Sequence, residues 1–238
     1  MSVAQKTMGP VSGICSMAMR HVLADLAAAY EARSGTSIAI EAVGGVDAAR
    51  RVANGEAFDF VVLAADAIER LAGAGRVDRG TRTDLVRSGV AIAVPSGAVR
   101  PDITSESAVR DAVLRARSVG YSTGPSGQHL VRLFERWGIA GEIAPRIVQA
   151  TPGIPVGTLL ARGKIDLGFQ QLSEFMHVPG IDVVGPLPPE CQVVTTFAAA
   201  VCTASKQLDA TTAFLAFLAS PATDGAKRRE GMEPPRDA

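Results

Sequence analysis

The most constraining feature of this chain is an alternation, along most of its length, between short β-branched apolar runs and Ala- and Leu-rich segments of helical periodicity. Phe58 to Leu63 is an apolar run interrupted only by Asp59, and the segment that follows it, Asp66 to Leu71, has a helical pattern. Parallel strands need long crossover connections, which helices usually supply, and a strand covered on both faces is apolar throughout. The sequence therefore predicts an α/β fold.

Composition limits the possible classes of protein. The chain has 238 residues, of which 47% are hydrophobic and 20% charged, so it is long enough for one large domain or two lobes of about 100 residues each. Its 24 basic residues balance 24 acidic ones, which argues against nucleic acid as a partner. Because no apolar run approaches about 18 residues, we expect no insertion into a membrane.

The cysteines and the N-terminal segment suggest neither metal chemistry nor export. Cys15, Cys191 and Cys202 are odd in number and show no CxxC spacing, so we expect no disulfide framework, no metal site and no cofactor. Met1 to Pro10 lacks the apolar core of a signal peptide. The expected location is therefore cytoplasmic for the sequence as given, and periplasmic if a leader has been removed.

The order of the predicted elements indicates two lobes. Ser88 to Val94 reads as a strand that leaves the first lobe, because a new series of strands and helices starts after it. Val193 to Val201 is long enough to return, and the helix Ala210 to Leu218 would pack on the first lobe. We predict two Rossmann-like lobes joined by a two-strand hinge, with residues 1–88 and 196–238 in lobe 1, residues 89–195 in lobe 2, and a ligand cleft between them.

The remaining elements follow from the same patterns. The predicted strands are Ile38–Val43, Val119–Ser122, Ile165–Phe169 and Ile181–Val184, and the predicted helices include Ser107–Ala116, Gln128–Trp137 and Val156–Arg162. Near the C-terminus, Lys227-Arg228-Arg229 lies beside Glu230 and is expected to be a solvated helix end.

Ligands of open parallel sheets bind beyond the carboxyl ends of the strands, so the turns from strand to helix hold the candidate site residues. Ser12 to Ser16 reads as a turn before a helix, whose N-terminus suits an anion, and both Ser12 and Ser16 are candidate contacts. A simple helix cap at Ser16 explains the same residues. Gly44 and Gly45 expose main-chain N–H groups, while a tight turn capped by Asp47 is the alternative.

The segment Thr123 to His129 combines hydroxyl, amide and imidazole groups between a predicted strand and a predicted helix. Thr123 and Ser126 are candidate ligand contacts. His129 is a candidate proton carrier, although a histidine in the first turn of a helix is commonly just solvated. The segment lacks the Gly-Lys-Ser/Thr ending of a P-loop, and no Gly-x-Ser-x-Gly elbow occurs in the chain.

Two later turns complete the set. Thr151 to Thr158, which contains Ile154, caps a predicted helix, and Phe169 to Glu174 follows a predicted buried strand. The adjacent amides Gln170 and Gln171 favour ligand contact at this point. Glu174 is the second candidate proton carrier.

Several segments resemble a known family. Leu159 to Phe169 is similar to the helix and strand before the last ligand loop of the type 2 periplasmic-binding-protein fold, and in particular of the molybdate-binding receptors of ABC transporters. Ser12 to Ser16, Val52 to Val62, and Ala213 to Pro221 with the following helix resemble other parts of the same proteins. The resemblance extends over nearly the whole chain.

The resemblance implies a small anion, either an organic carboxylate or an oxyanion, bound in the cleft between the lobes. It places contacts at or near Ser16, Gly45, Ser126, Ile154 and Gln170. The ligand loops diverge from the family pattern, since Gly44-Gly45-Val46 replaces a serine-rich loop and Gln170-Gln171 stands where a tyrosine is usual. An ABC transporter permease is the implied partner if the protein is exported.

An enzyme on the same fold is the alternative. An intracellular isomerase of a small di- or tricarboxylate, similar to aconitate isomerase, would need a proton carrier in contact with its ligand, and His129 and Glu174 are the candidates. It would also need hydrogen-bond donors that stabilise developing negative charge, which helix N-termini supply. The residues alone leave open whether the protein is an enzyme.

Overall fold

The structure is a computed structural model that describes residues 9–151 and 153–235. Residues 1–8, which hold most of the segment relevant to a leader, lie outside the described residues. Within the described part, the strands are β1 (Val11–Ser16), β2 (Ile38–Val43), β3 (Phe60–Ala64), β4 (Thr83–Pro95), β5 (Val119–Tyr121), β6 (Ile147–Gln149), β7 (Leu167–Gln171), β8 (Ile181–Pro186) and β9 (Val194–Val201). The helices are α1 (Arg20–Ser34), α2 (Gly45–Ala53), α3 (Ala65–Gly73), α4 (Glu106–Arg115), α5 (Pro125–Arg136), α6 (Ala140–Ile143), α7 (Val156–Ala161), α8 (Leu172–Phe175), α9 (Leu208–Ala219) and α10 (Asp224–Arg229).

The described strands follow the order β2-β1-β3-β9-β4-β7-β5-β6, and β8 pairs with β4. At one end, β1 is parallel to β2 and β3, and at the other end β5 is parallel to β6 and β7. Between them, β9 and β4 are antiparallel to their neighbours. This mixed sheet with helical crossovers confirms the predicted α/β class.

Two strands join the two halves of the sheet. β4 pairs with β9 over Thr83–Gly89, and its continuation, Val90–Pro95, pairs with β7 and β8. β9 returns to β3, whose parallel partner is β1. The molecule thus has two lobes connected by two crossing strands, as predicted. The division at residues 88/89 and 195/196 stays a prediction.

The side chains of β3 and of the second half of β4 alternate between two cores, which explains why these stretches are apolar throughout. In β3, Phe60 and Val62 pack on a core formed with α1 and α9, whereas Val61 and Leu63 pack on a core formed with α2 and α3. The second half of β4 divides its side chains in the same way between two other cores. Helices therefore cover both faces of each lobe's sheet, which is the condition under which a strand has no polar face.

The segment Ser12–Ser16 is not a turn but most of the central strand β1, so that prediction was wrong. Ser12 and Gly13 suggested a turn because small and hydroxyl-bearing residues are frequent there. In the structure Gly13 allows the close approach of Phe60, because a Cβ atom on Gly13 would lie 2.1 Å from the Phe60 ring. The chain reverses direction only after Ser16, where a short 3-10 turn leads into α1.

The ends of two other elements differ from the prediction, and both differences change the position of candidate site residues. β7 extends to Gln171, so Gln170 and Gln171 end a strand instead of beginning a turn. α5 starts at Pro125, which suits the first helical position because its missing N–H has no partner there in any case. Ser126 consequently lies in the first turn of α5.

The prediction of a solvated end at Lys227-Arg228-Arg229 was wrong for Lys227. Its side chain is 1% exposed, and its Nζ lies 3.4 Å from Asp224 Oδ1 one helical turn earlier. Burial lowers the pKa of Lys227, and the Asp224 carboxylate acts in the opposite direction. Arg228 and Arg229 are exposed as expected, so only one side of the short helix α10 meets solvent.

A buried carboxylate ties β1 to the C-terminal part of the chain. Asp59 Oδ2 accepts hydrogen bonds from the Ser12 main-chain N–H at 2.8 Å and from Ser12 Oγ at 3.0 Å, and Asp59 Oδ1 accepts from Ser205 Oγ at 2.8 Å. Burial by itself would raise the pKa of Asp59, but these hydrogen bonds outweigh it and hold the pKa below its usual range. The ionised form is therefore the stable one in the fold.

We expect Asp59→Ala to lower the free energy of unfolding at pH 7 by about 1–3 kcal/mol, because it leaves the part-buried Ser12 N–H without its acceptor. Since the native pKa is depressed, the contribution of Asp59 is present above the unfolded-state pKa near 3.8 and is lost as the pH falls through the native value. Urea denaturation at pH 7 and pH 3 measures both effects. Asp66→Ala, which removes an exposed ion pair with Arg70, is the control and should cost under about 1 kcal/mol; equal losses would contradict the argument.

Helix α5 approaches the preceding loop so closely that Gly127 has no room for a side chain. A Cβ atom there would lie 1.7 Å from the Ser122 main-chain oxygen, whereas a Cβ atom on Gly124 would find its nearest neighbour, Ser122 Oγ, at 3.8 Å. We expect Gly127→Ala to cost at least about 2 kcal/mol of stability and Gly124→Ala to cost under about 1 kcal/mol. Chemical denaturation of the two variants tests this, and similar stabilities would show that the loop yields easily.

Candidate functional site

A cavity of about 80 Å³ lies where the carboxyl ends of β1, β2, β5, β6 and β7 meet the residues that follow them. This is the position at which open α/β sheets bind ligands. Both lobes contribute to the wall, together with β9. The lining residues are Ser16, Met17, Ala18, Gly44, Gly45, Ser122, Thr123, Gly124, Pro125, Ser126, Ala150, Thr151, Gly153, Ile154, Pro155, Gln170, Gln171, Glu174 and Phe197.

Most residues predicted from the sequence meet at this cavity. The structure brings together the candidates that follow strands in both lobes, namely Ser16, Gly44, Gly45, Thr123, Ser126, Ile154, Gln170, Gln171 and Glu174. It does not bring Ser12 or His129 there. Ser12 lies near the start of β1 and is bound to Asp59, at the other end of the strand from Ser16.

His129 was proposed as a proton carrier, and its surroundings argue against that role in this cavity. His129 Nε2 donates to the Cys191 main-chain oxygen at 2.9 Å, and its ring does not line the cavity. Ser126 lies in the first turn of α5 and lines the cavity, whereas His129 lies further along the helix and packs on the loop before β9. His129 is therefore close in sequence to residues that line the cavity, but its side chain lies elsewhere.

On the first-lobe side, the wall consists of a hydroxyl and the start of a helix. Ser16, the last residue of β1, is 7% exposed, and its Oγ has no hydrogen-bond partner among the described residues. Gly44 and Gly45 lie at the beginning of α2, where main-chain N–H groups lack partners within the helix. Asp47 is inside α2, so Gly44, not Asp47, occupies the capping position.

On the second-lobe side, the loop after β5 supplies hydroxyls beside the start of α5. Ser122 Oγ and Ser126 Oγ are 3.1 Å apart and hydrogen-bonded. The main-chain N–H groups of the first turn of α5 are not capped by a side chain. Sequence reasoning missed Ser122 because it was assigned to the preceding strand, although the same rule on the carboxyl ends of strands would have found it.

The two glutamines at the end of β7 have different surroundings. Gln170 is 2% exposed; its Oε1 accepts from the Val156 N–H at 2.9 Å, and its Nε2 donates to Glu174 Oε2 at 2.6 Å. Gln171 lies between the crossing strands. In the amide orientation that satisfies both ends, its oxygen accepts from Thr195 Oγ1 at 3.0 Å and its nitrogen donates to the Gly89 oxygen at 3.1 Å.

Among the described residues that line the cavity, Glu174 is the one with an ionisable side chain. Burial raises its pKa from 4.5 to about 7, and the hydrogen bond from Gln170 and the positive charge of Arg20 oppose that rise. Near neutral pH, both the ionised and the protonated forms are therefore populated. A group with this property both accepts and returns a proton without large cost, which is what general acid–base chemistry requires.

The described lining residues include no lysine, arginine or histidine, so an anion here would be held by neutral donors: main-chain N–H groups, hydroxyls and amides. Among the described residues no group of three or more His, Cys, Asp or Glu side chains is arranged to hold a metal ion. Nor does any described helix combine the length and the apolar character needed to cross a membrane.

Comparison with solved structures shows the fold. The periplasmic molybdate-binding protein of Azotobacter vinelandii superposes with a TM-score of 0.79 at 17% identity, covering 95% of this chain and 100% of that chain. A tungstate-binding protein of Desulfovibrio alaskensis has a TM-score of 0.68 at 18% identity, covering 96% of this chain and 100% of the other. The resemblance to the type 2 periplasmic-binding-protein fold is thus confirmed.

Sequence comparison shows the family. The aconitate isomerase of a Pseudomonas species is 37% identical over 216 residues, which are 88% of this chain and 82% of that protein. The family model described as bacterial extracellular solute-binding protein matches residues 11–233, nearly all of the described chain. The chain therefore belongs to the family of bacterial extracellular solute-binding proteins.

Proposed function

We propose that the cavity binds a small di- or tricarboxylate anion and that Glu174 isomerises it by moving one proton. The observation that carries this proposal is a carboxyl group with a pKa of about 7 in a cavity otherwise lined by neutral groups. An ionised carboxylate in the wall would repel a bound anion, and only the protonated form would donate a hydrogen bond to it. A proton carrier, in contrast, must contact the ligand.

Neutral donors from both lobes would hold the carboxylates of the ligand. The first turns of α2 and α5 present main-chain N–H groups at the positive ends of the helix dipoles, and Ser16 Oγ is available as a further donor. These groups lie on opposite sides of the cavity, so a ligand with two or three carboxylates is able to contact both lobes.

The proton transfer is balanced without any co-reactant. The ionised Glu174 carboxylate takes a proton from a ligand carbon next to a double bond that is conjugated with a carboxylate. The C–H bond breaks, and its electron pair spreads over the conjugated unit, where the N–H donors stabilise the developing charge. Glu174 then returns the proton to the other end of the three-carbon unit, so that the double bond moves and the composition of the ligand is unchanged.

The comparison with aconitate isomerase supports this class of ligand and reaction, because that protein is similar over most of both chains. A plain solute receptor is the second candidate. It is favoured by the match to solute-binding proteins and by the fold shared with molybdate- and tungstate-binding proteins. A receptor would work outside the cytoplasmic membrane with a transporter permease as partner, whereas an isomerase needs neither export nor a partner.

We expect the wild-type protein to be stabilised by di- or tricarboxylates in a thermal-shift assay, by about 2.7 kcal/mol at 100 times the dissociation constant. We further expect it to interconvert cis- and trans-aconitate, followed by NMR. Glu174→Gln should still bind the ligand but lose at least about 100-fold in kcat, because the amide does not carry the proton. Glu135→Gln, an exposed position on α5, is the matched control and should behave as wild type.

Two results would contradict the proposal. Stabilisation by molybdate or tungstate but by no carboxylate would favour the oxyanion receptor. Binding of carboxylates without isomerisation, and without exchange of ligand protons in D₂O, would leave a carboxylate receptor. The D₂O experiment matters because it detects proton removal even when the proton returns to its original carbon.

The raised pKa of Glu174 predicts a pH dependence of stability. Because the native pKa is about 7 and the ordinary value is 4.5, the native state binds more protons than the unfolded state between these values. The wild-type protein should therefore lose stability relative to Glu174→Gln as the pH rises from about 4.5 to above 7, by roughly 1–3 kcal/mol. Urea denaturation of both proteins across this range measures the difference, and parallel pH profiles would show that Glu174 titrates normally.

A further inference from the structure

We propose that Gln170 is a positioning residue that fixes the Glu174 carboxylate in the cavity and stabilises its ionised form. This inference rests on the proposed function, in which ionised Glu174 accepts the proton. It assigns to Gln170 an effect on the proton acceptor, in addition to any contact with the ligand.

The orientation of the Gln170 amide is fixed by a main-chain group. Val156 is the first residue of α7, so its N–H has no partner within the helix, and it donates to Gln170 Oε1 at 2.9 Å. An N–H group is only a donor, so it must face the amide oxygen. The amide nitrogen is thereby directed to Glu174 Oε2, at 2.6 Å. Reversing the amide would place its oxygen against the carboxylate and its nitrogen against the Val156 N–H.

The location of Gln170 makes this hydrogen bond strong. Gln170 is 2% exposed, so water does not compete effectively for its amide. The bond joins β7 to α8, which directly follows it, and one of the two Glu174 carboxylate oxygens is held in this way. A proton acceptor whose position is fixed needs no reorganisation when the ligand arrives.

Few other groups near Glu174 favour its charged form. α8 packs against β4, β7, β8 and the turn at residues 17–19. Among the described residues, the charged side chain that acts on the pKa of Glu174 is Arg20, which directly follows that turn. The described cavity lining contributes no cation. A bound anion would raise the pKa of Glu174 further, so the Gln170 N–H is the nearest group that keeps part of the population ionised.

The experiment compares the wild-type protein with Gln170→Leu, which keeps the approximate volume but removes the amide. Selective ¹³C labelling of glutamate carboxyl carbons lets NMR follow the titration of Glu174 in each protein, with Glu174→Gln for assignment. We expect Gln170→Leu to raise the Glu174 pKa by about one pH unit, to move the ascending limb of the kcat profile upward by the same amount, and to lower kcat at pH 7 about fivefold. KM should change less than kcat.

Gln192→Leu is the matched control. Gln192 is a half-buried amide that, like Gln170, is bound to the main chain: it accepts from the Val90 N–H at 2.8 Å and donates to the Val90 oxygen at 3.0 Å. It makes no hydrogen bond to Glu174. Gln192→Leu should leave the Glu174 titration unchanged. An equal shift in both variants would overturn the inference, because it would reflect a general loosening of the second lobe.

A measurement on the wild-type protein does not depend on the folding of any variant. The Gln170 side-chain amide protons should shift as Glu174 titrates, because one of them is bonded to its carboxylate. Amide resonances that do not respond, or an unchanged Glu174 titration in Gln170→Leu, would overturn the role of Gln170 whatever the turnover. If Gln170→Leu shifts the titration but the wild-type protein isomerises no carboxylate, the proposed reaction fails and the effect of Gln170 on Glu174 stands.

Discussion

The antiparallel pairing of β4 with β9 is the constraint on which the rest of the molecule depends. β4 changes partners between Gly89 and Val90, so one continuous strand belongs to the sheets of both lobes. Two side-chain amides lie at this point: Gln192 is bonded to the main chain of Val90, and Gln171 is bonded to Thr195 and Gly89. The carboxyl ends of the parallel strands of both lobes face one cavity because these crossing strands orient them.

The electrostatics of the cavity follow from this arrangement. Its wall is formed by the ends of strands and the first turns of helices, which provide N–H groups and hydroxyls but no cationic side chain among the described residues. In such surroundings a carboxylate loses hydration without gaining a counterion, and its pKa rises. The raised pKa of Glu174 is thus a consequence of where the fold places the helix that carries it, directly after β7 and between the two lobes.

Local pattern predicted much of the fold and less of the site. Apolar runs identified β3 and the crossing strands because both faces of those strands are covered, and the rule on strand ends placed Ser126 and Gln170 at the cavity, which they line. The same rule failed for Ser12, whose hydroxyl and neighbouring glycine suited a turn but belong to a strand packed against Phe60. His129 failed because the orientation of a residue on a helix depends on where the helix begins, which the sequence placed three residues late. The pKa of Glu174 was not accessible from sequence, since its burial is produced by residues distant in the chain.

A small chemical difference separates a solute receptor from an isomerase on this fold. Both need a cleft that excludes water and neutral donors for an anion, and the isomerase needs in addition one group that exchanges a proton at neutral pH. An exposed glutamate is fully ionised there and is a weak base, whereas a buried one without support would stay protonated. Glu174 lies between these limits because burial and the Gln170 amide act on it in opposite directions. The balance between these two effects is therefore the property that the proposed isomerase requires in addition to those of a receptor.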